Sequence, residues 1–157
     1  MLFRSAVGAR PAARLRSLAA PNIVVTGKVD DVRPYLAHAA AVVAPLKLAR
    51  GLQNKVIEGM AMSRPVVATS PSVQALSAIS GKELWVADEP ADFAKAVLAA
   101  LEDTDVIAAN GRRFVEENHE WTYNLAALDL LLETKPRATT GHHSVDVPLS
   151  PLARAAE

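Results

Sequence analysis

The sequence predicts an α/β domain: a mostly parallel sheet of about five strands between two layers of helices. Three observations predict it. Short β-branched runs recur, each closed by a turn residue. They are too uniformly apolar to alternate, as befits strands covered on both faces. Helix-length segments fill the intervals between them through residue 102, which gives βαβ units with right-handed crossovers.

Taken in order, residues 1–7, closed by Gly8, form the first strand signal, and residues 12–18 a helix. Residues 23–26 (Ile-Val-Val-Thr) form a strand ended by Gly27. Asp31 is placed to cap a helix over residues 32–38, and Pro34 falls in its first turn, where no hydrogen bond is lost. Residues 41–45 and 65–69 are two apolar strands, with a helix between them over residues 54–62 that Asn54 is placed to cap. A short helix is expected within residues 72–78 and a strand over residues 84–87. Phe93, Ala94, Val97, Leu98 and Leu101 repeat at helical spacing across residues 91–102. Residues 106–118 and 122–133 complete the helices, with Gly111 in the interior of the first weakening the signal for its continuity. The domain is therefore residues 1–133. Residues 134–157 have linker chemistry and read as a disordered polar tail, with His142 and His143 solvated rather than ligating.

Composition narrows the function. The chain has 157 residues, half of them hydrophobic and 22% charged, enough for one packed domain. Seventeen basic residues balance seventeen acidic ones, which argues against a nucleic-acid binder. With no cysteine, disulfides, thiolate metal sites and cysteine nucleophiles are excluded, and no metal site is expected. No stretch approaches the roughly 18 apolar residues of a membrane span, which leaves peripheral membrane contact open. Arg4, Arg10, Arg14 and Arg16 resemble the charge pattern of a targeting peptide, but Pro11 would break its helix and the segment fits the domain.

A doubly wound sheet binds ligands beyond the carboxyl ends of its strands. There the connection over residues 46–53 is longer than the usual two to six residues, basic, and supplied with Gly51 for close backbone approach. The helix start that follows offers free N–H groups and a partial positive charge. With Lys47, Arg50 and Lys55 it makes an anion site suited to phosphate. Lys55 and Glu58 share a helix face; they read either as a phosphate and hydroxyl pair or as a surface ion pair, and spacing leaves both open. Neither GxGxxG nor GxxxxGK[ST] is present, so dinucleotide and Walker-type readings lose their support. Asp88 and Glu89 read as charges favouring the start of the next helix rather than as an acid/base pair.

The segment from Arg50 to Ala68 (RGLQNKVIEGMAMSRPVVA), with Val25-Thr26-Gly27-Lys28-Val29-Asp30-Asp31-Val32, Tyr35-Leu36 and Glu120-Trp121, resembles the carboxy-terminal domain of a family-four, group 1 glycosyltransferase. The Gln-Asn-Lys variant is most similar to sugar transferases of bacterial exopolysaccharide and exosortase loci. The resemblance spans residues 1–133. It implies a Rossmann-like, three-layer half of a GT-B fold that binds a nucleotide diphosphate-sugar donor, with no other cofactor. Glu58 would then hydrogen-bond the ribose, and Lys55 with the amides of Gly51, Gln53 and Asn54 would meet the diphosphate. Gly8 would let the backbone pass close to the ligand. Arg50 stands where the family carries a first glutamate that contacts the donor sugar, and Ser63 stands at a helix-ending glycine position. Trp121 would pack at the turn before the last helix.

The expected function is donor binding for sugar transfer to a polysaccharide or lipid-linked acceptor, in the bacterial cytoplasm where activated sugars are made. The amino-terminal acceptor domain is read as absent, so the chain reads as a truncated form with little or no turnover of its own. The catalytic residue is unknown. Two alternatives are a non-catalytic module pairing with a separate acceptor-domain chain through Leu125, Leu128, Leu131 and Leu132, and half of a sugar-nucleotide epimerase.

Overall fold

Three of the strands are built on valine pairs (Val24-Val25, Val42-Val43 and Val66-Val67). The computed structural model describes residues 4–102 and 105–120, together with Leu125, Leu128 and Leu132. Among the described residues the elements alternate as the sequence predicts. They are β1 (Arg4–Val7), α1 (Ala13–Arg16), β2 (Ile23–Gly27), α2 (Arg33–Ala37), β3 (Val42–Ala44), α3 (Asn54–Ala61), β4 (Val66–Ala68), α4 (Ser70–Val73), β5 (Trp85–Val86), α5 (Pro90–Glu102) and α6 (Asp105–His119). The predicted helix over residues 122–133, Trp121, and the tail over 134–157 lie outside the described residues, apart from three leucines.

All named strand pairs are parallel, and the domain is an α/β, Rossmann-like fold. The five strands fall into two hydrogen-bonded groups, β1-β2 and β3-β4-β5, rather than one continuous sheet. In the first group Arg4 stands opposite Ile23, with an irregularity between Ala6 and Val7. In the second Val42, Val43 and Ala44 stand opposite Val66, Val67 and Ala68.

The core belongs to the second group. β4 is central and buried along its whole length. α3 lays Val56 and Met60 on β3 and β4, α6 packs on α3, and α5 covers β4 and β5. Met60, Val56, Val66 and Leu84 meet Val115 from α6 in one apolar cluster. No residue from 4 to 43 is buried; among the described residues the first buried position is Ala44.

Three local predictions need correction. Asp31 does cap α2, but from one residue before the helix boundary, its Oδ1 accepting the Arg33 N–H at 2.9 Å. α4 begins at Ser70 rather than Ser72, because Thr69 is already extended and Pro71 sits comfortably in the first turn. Gly111 does not interrupt α6: the helix runs through it, and the missing side chain lets α6 lie against the turn before β5.

Candidate functional site

The carboxyl end of β3 delivers the chain into the long basic connection, and two buried hydroxyls fix its departure. Thr69 Oγ1 donates to the Leu46 carbonyl at 2.6 Å, and Ser72 Oγ donates to the Ala44 carbonyl at 2.8 Å. The Thr69 and Ser72 hydroxyls lie 2.9 Å apart, both buried. Sequence reasoning passed over this pair. Its signal was the Thr-Ser-Pro-Ser run directly after an apolar strand, a helix-start pattern whose hydroxyls stay near the strand ends.

The far end of the connection is held by Gln53. Its side-chain amide donates to the carbonyls of Arg50 at 3.0 Å and Gly51 at 3.3 Å, so the Arg50–Gly51 peptide is locked to the helix start. Gly51 has φ +63°, and the space where its side chain would stand is open. That backbone favours glycine.

Gln53, not Asn54, occupies the capping position of α3, and no side chain caps the helix. Asn54 is the first helical residue. The correction follows from the hydrogen bonds: Gln53 supplies the first carbonyl of the helix, to Val56, while its side chain is engaged backwards on the loop. The N–H groups of Asn54 and Lys55 consequently face outward with no partner among the described residues.

Lys47, Arg50, Lys55 and Glu58 are all exposed, and among the described residues none makes a side-chain hydrogen bond or ion pair. The Lys55–Glu58 surface pair left open by spacing is therefore not formed. On the other side of the helix Val56 and Met60 are buried, so the Lys55–Glu58 face is held toward solvent by the packing beneath it. The result is a rim of three cations, two free amides and one carboxylate around a pinned glycine loop.

Gly8 follows β1, in the other strand group, and its N–H donates to the Gly27 carbonyl at 3.1 Å. Its backbone does not require glycine, and open space lies where a side chain would be. Beside it opens a cleft of about 520 Å³ at the carboxyl ends of β1 and β2, lined by Arg10, Arg16, Thr26 and Gly27 among others. Arg16 Nε donates to the Pro11 carbonyl at 3.0 Å, which holds this arginine at the cleft. A second cavity, of about 230 Å³, opens at the opposite, amino ends of the strands near Arg64 and Pro65 and touches none of the candidate residues.

Asp88 is occupied structurally rather than by the start of α5. Its carboxylate accepts the Ser70 hydroxyl at 2.6 Å and the Ser70 N–H at 2.8 Å, tying the end of β5 to α4. Those two hydrogen bonds hold its pKa below the ordinary carboxylate range, so at neutral pH it carries no proton to donate.

The family model of glycosyl transferases group 1 matches residues 5–103, from β1 through α5. The chain belongs to the group 1 glycosyl transferases. No curated protein matches it. Gly8, the pinned loop, Lys55 and Glu58 all fall within the part matched to the group 1 transferases, whereas α6, which buttresses α3 from behind, falls outside it. Among the described residues no group of His, Asp and Glu side chains forms a metal site, and no helix is long and apolar enough to cross a membrane.

Proposed function

We propose that this domain binds the nucleotide diphosphate-sugar donor of a glycosyl transfer, with the diphosphate at the Gly51–Lys55 rim and the ribose hydroxyls on Glu58. The observation that carries the reading is the combination of family membership with a glycine loop locked by Gln53, and helix-start amides and cations that have no partner among the described residues. Free amides at a helix start suit phosphate oxygens, and an unpaired carboxylate three residues along suits vicinal hydroxyls. Arg50, a pure donor, would meet the sugar end or the phosphate. The acceptor is a polysaccharide or lipid-linked sugar of the exopolysaccharide type, handled by a separate lobe. Holding a donor in half a cleft leaves water in contact with it, so the domain by itself supplies binding and little turnover.

Calorimetric titration with UDP, GDP and ADP tests this. Saturable binding of at least one is expected, weakened about tenfold by Lys55→Ala and by Glu58→Ala, as loss of one charge-assisted contact implies. Absence of saturable binding, or affinity indifferent to both substitutions, overturns the proposal.

A second reading, a non-catalytic module completed by an acceptor-binding chain, is favoured by Leu48. This leucine stands 92% exposed on the same connection, beside exposed Leu52, an unusual cost for a free surface. Co-purification of the chain with a second polypeptide, lost in Leu48→Asn, is the outcome that reading requires.

A further inference from the structure

Thr69 gives up the hydrogen bond its position favours. It stands at the capping position of α4, where a threonine hydroxyl ordinarily accepts an N–H from the first turn, yet its side chain makes no cap. Its Oγ1 turns back instead to the exit of β3 and donates to the Leu46 carbonyl at 2.6 Å, with the Ala44 carbonyl 3.4 Å away. The residue is buried, and its β branch leaves the hydroxyl few rotamers. A local preference set aside in a packed region points to another task for the residue. We propose that Thr69 is a positioning residue for the rim: by holding the Leu46 carbonyl inward, it turns the Lys47 N–H outward as a further donor to the ligand's phosphates. The inference rests on the donor reading for what the ligand is, and adds to it a contact and the residue that aims it.

The peptide plane fixes the direction. Across a trans peptide the carbonyl and the following N–H point to opposite sides. Thr69 takes the Leu46 carbonyl, so the Lys47 N–H faces away from Thr69, and among the described residues it has no partner. The other end of the connection repeats the device. Gln53 takes the Arg50 carbonyl, and the Gly51 N–H on the far side of that peptide likewise has no partner among the described residues. Each anchored carbonyl thus belongs to a peptide that adjoins or includes a cation, Lys47 at one end and Arg50 at the other. Ordering one loose residue on binding weakens affinity by roughly tenfold. A connection pinned at both ends presents its donors without that loss.

Ser72 separates aiming from packing. It is also buried, and its hydroxyl also holds a carbonyl, that of Ala44, at 2.8 Å. The Ala44 carbonyl, however, accepts from the Leu46 and Thr69 N–H groups as well. Among the described residues the Leu46 carbonyl accepts from Thr69 alone. Removing the Ser72 hydroxyl therefore costs a buried hydrogen bond without releasing a peptide. Removing the Thr69 hydroxyl releases the Leu46–Lys47 peptide to rotate.

Titration of the full chain with inorganic pyrophosphate at constant ionic strength, followed by amide NMR shifts, tests this. In wild type the Lys47, Gly51, Asn54 and Lys55 amides are expected to shift together and saturate. Thr69→Val keeps the size and loses the hydroxyl. It is expected to weaken pyrophosphate about tenfold and to lose the Lys47 response while Asn54 and Lys55 still respond. Thr69→Ser restores the hydroxyl and should bind within about threefold of wild type, with the Lys47 response back. Ser72→Ala should keep the Lys47 response and lose less than about threefold. Trp85 fluorescence reports whether each variant is folded, and Thr69→Ala gives the same comparison if the valine does not fold. Shifts at Asn54 and Lys55 without one at Lys47 overturn this inference and leave the donor reading standing. A Thr69→Val protein that binds like wild type, or loses no more than Ser72→Ala, also overturns it. No saturable shift at any of the four amides overturns both.

Discussion

A methyl group placed on Gly111 would stand 2.7 Å from the carbonyl oxygen of Glu83 and 3.5 Å from Met60 Cγ. The helix α6 can approach the turn before β5 only because that methyl is absent. Gly111→Ala gains about 1 kcal/mol of helix propensity but must displace a backbone oxygen, and overpacking a fixed neighbour costs about 1–3 kcal/mol. The expected net loss is up to about 2 kcal/mol, read as a lower urea midpoint at unchanged slope. A stabilised Gly111→Ala protein would show that α6 is free to shift.

Ser63 tests the opposite sign. Its N–H donates to the Met60 carbonyl and the Arg64 N–H to the Gly59 carbonyl, the paired hydrogen bonds of a Schellman end to α3, with Ser63 at φ +51°. A serine there carries left-handed strain of about 1 kcal/mol that glycine relieves. Ser63→Gly is expected to stabilise by about 0.5–1 kcal/mol and Ser63→Val to destabilise, both read by thermal or urea unfolding. Equal stability of all three would mean that the helix ends differently in solution.

Asp88 predicts a pH dependence. Its pKa is held low first by the Ser70 hydroxyl and then by the Ser70 N–H. A carboxyl depressed in the folded state adds stability above its unfolded value, about 3.9, and that contribution is lost as pH falls through the lower folded value. Wild type is therefore expected to lose stability more steeply than Asp88→Asn as pH is lowered from about 5 to 2, while Ser70→Ala removes part of the same slope. Parallel pH profiles for wild type and Asp88→Asn would count against the clamp.

Much of this architecture was legible in the residues, and the failures have identifiable causes. Valine pairs marked β2, β3 and β4, glycines closed β1 and β2, and the Arg50–Ala68 segment located α3. The hydroxyls of Thr69 and Ser72 were not legible as anchors for Leu46 and Ala44, because that role requires β3 and β4 to lie side by side. Gly111 weakened the signal for a continuous α6 because spacing along a helix carries no information about what the helix leans on. Asn54 read as a cap because its residue type fits, but Gln53 took the position once its side chain closed the preceding loop. The split of the sheet was invisible for a deeper reason: strand signals count strands, and only pairing shows which of them are neighbours.

The last prediction concerns Gly51, where loop conformation and donor binding are separable. At φ +63° with open space above it, Gly51 has no packing reason to be glycine, only a conformational one. Asparagine tolerates that region and valine does not, so the two substitutions differ in backbone preference before they differ in size. Gly51→Val is expected to force the Arg50–Gly51 peptide out of reach of the Gln53 amide, breaking the 3.0 Å and 3.3 Å hydrogen bonds that lock the loop. The loop lies outside the apolar cluster, so global stability should fall by no more than about 1–2 kcal/mol. Nucleoside diphosphate affinity should fall about tenfold or more in Gly51→Val and stay within about threefold of wild type in Gly51→Asn. If both variants bind like wild type, the amides at the start of α3 act without the loop. If both lose binding alike, the defect is the added side chain filling the ligand's space, and the left-handed turn is not what presents the site.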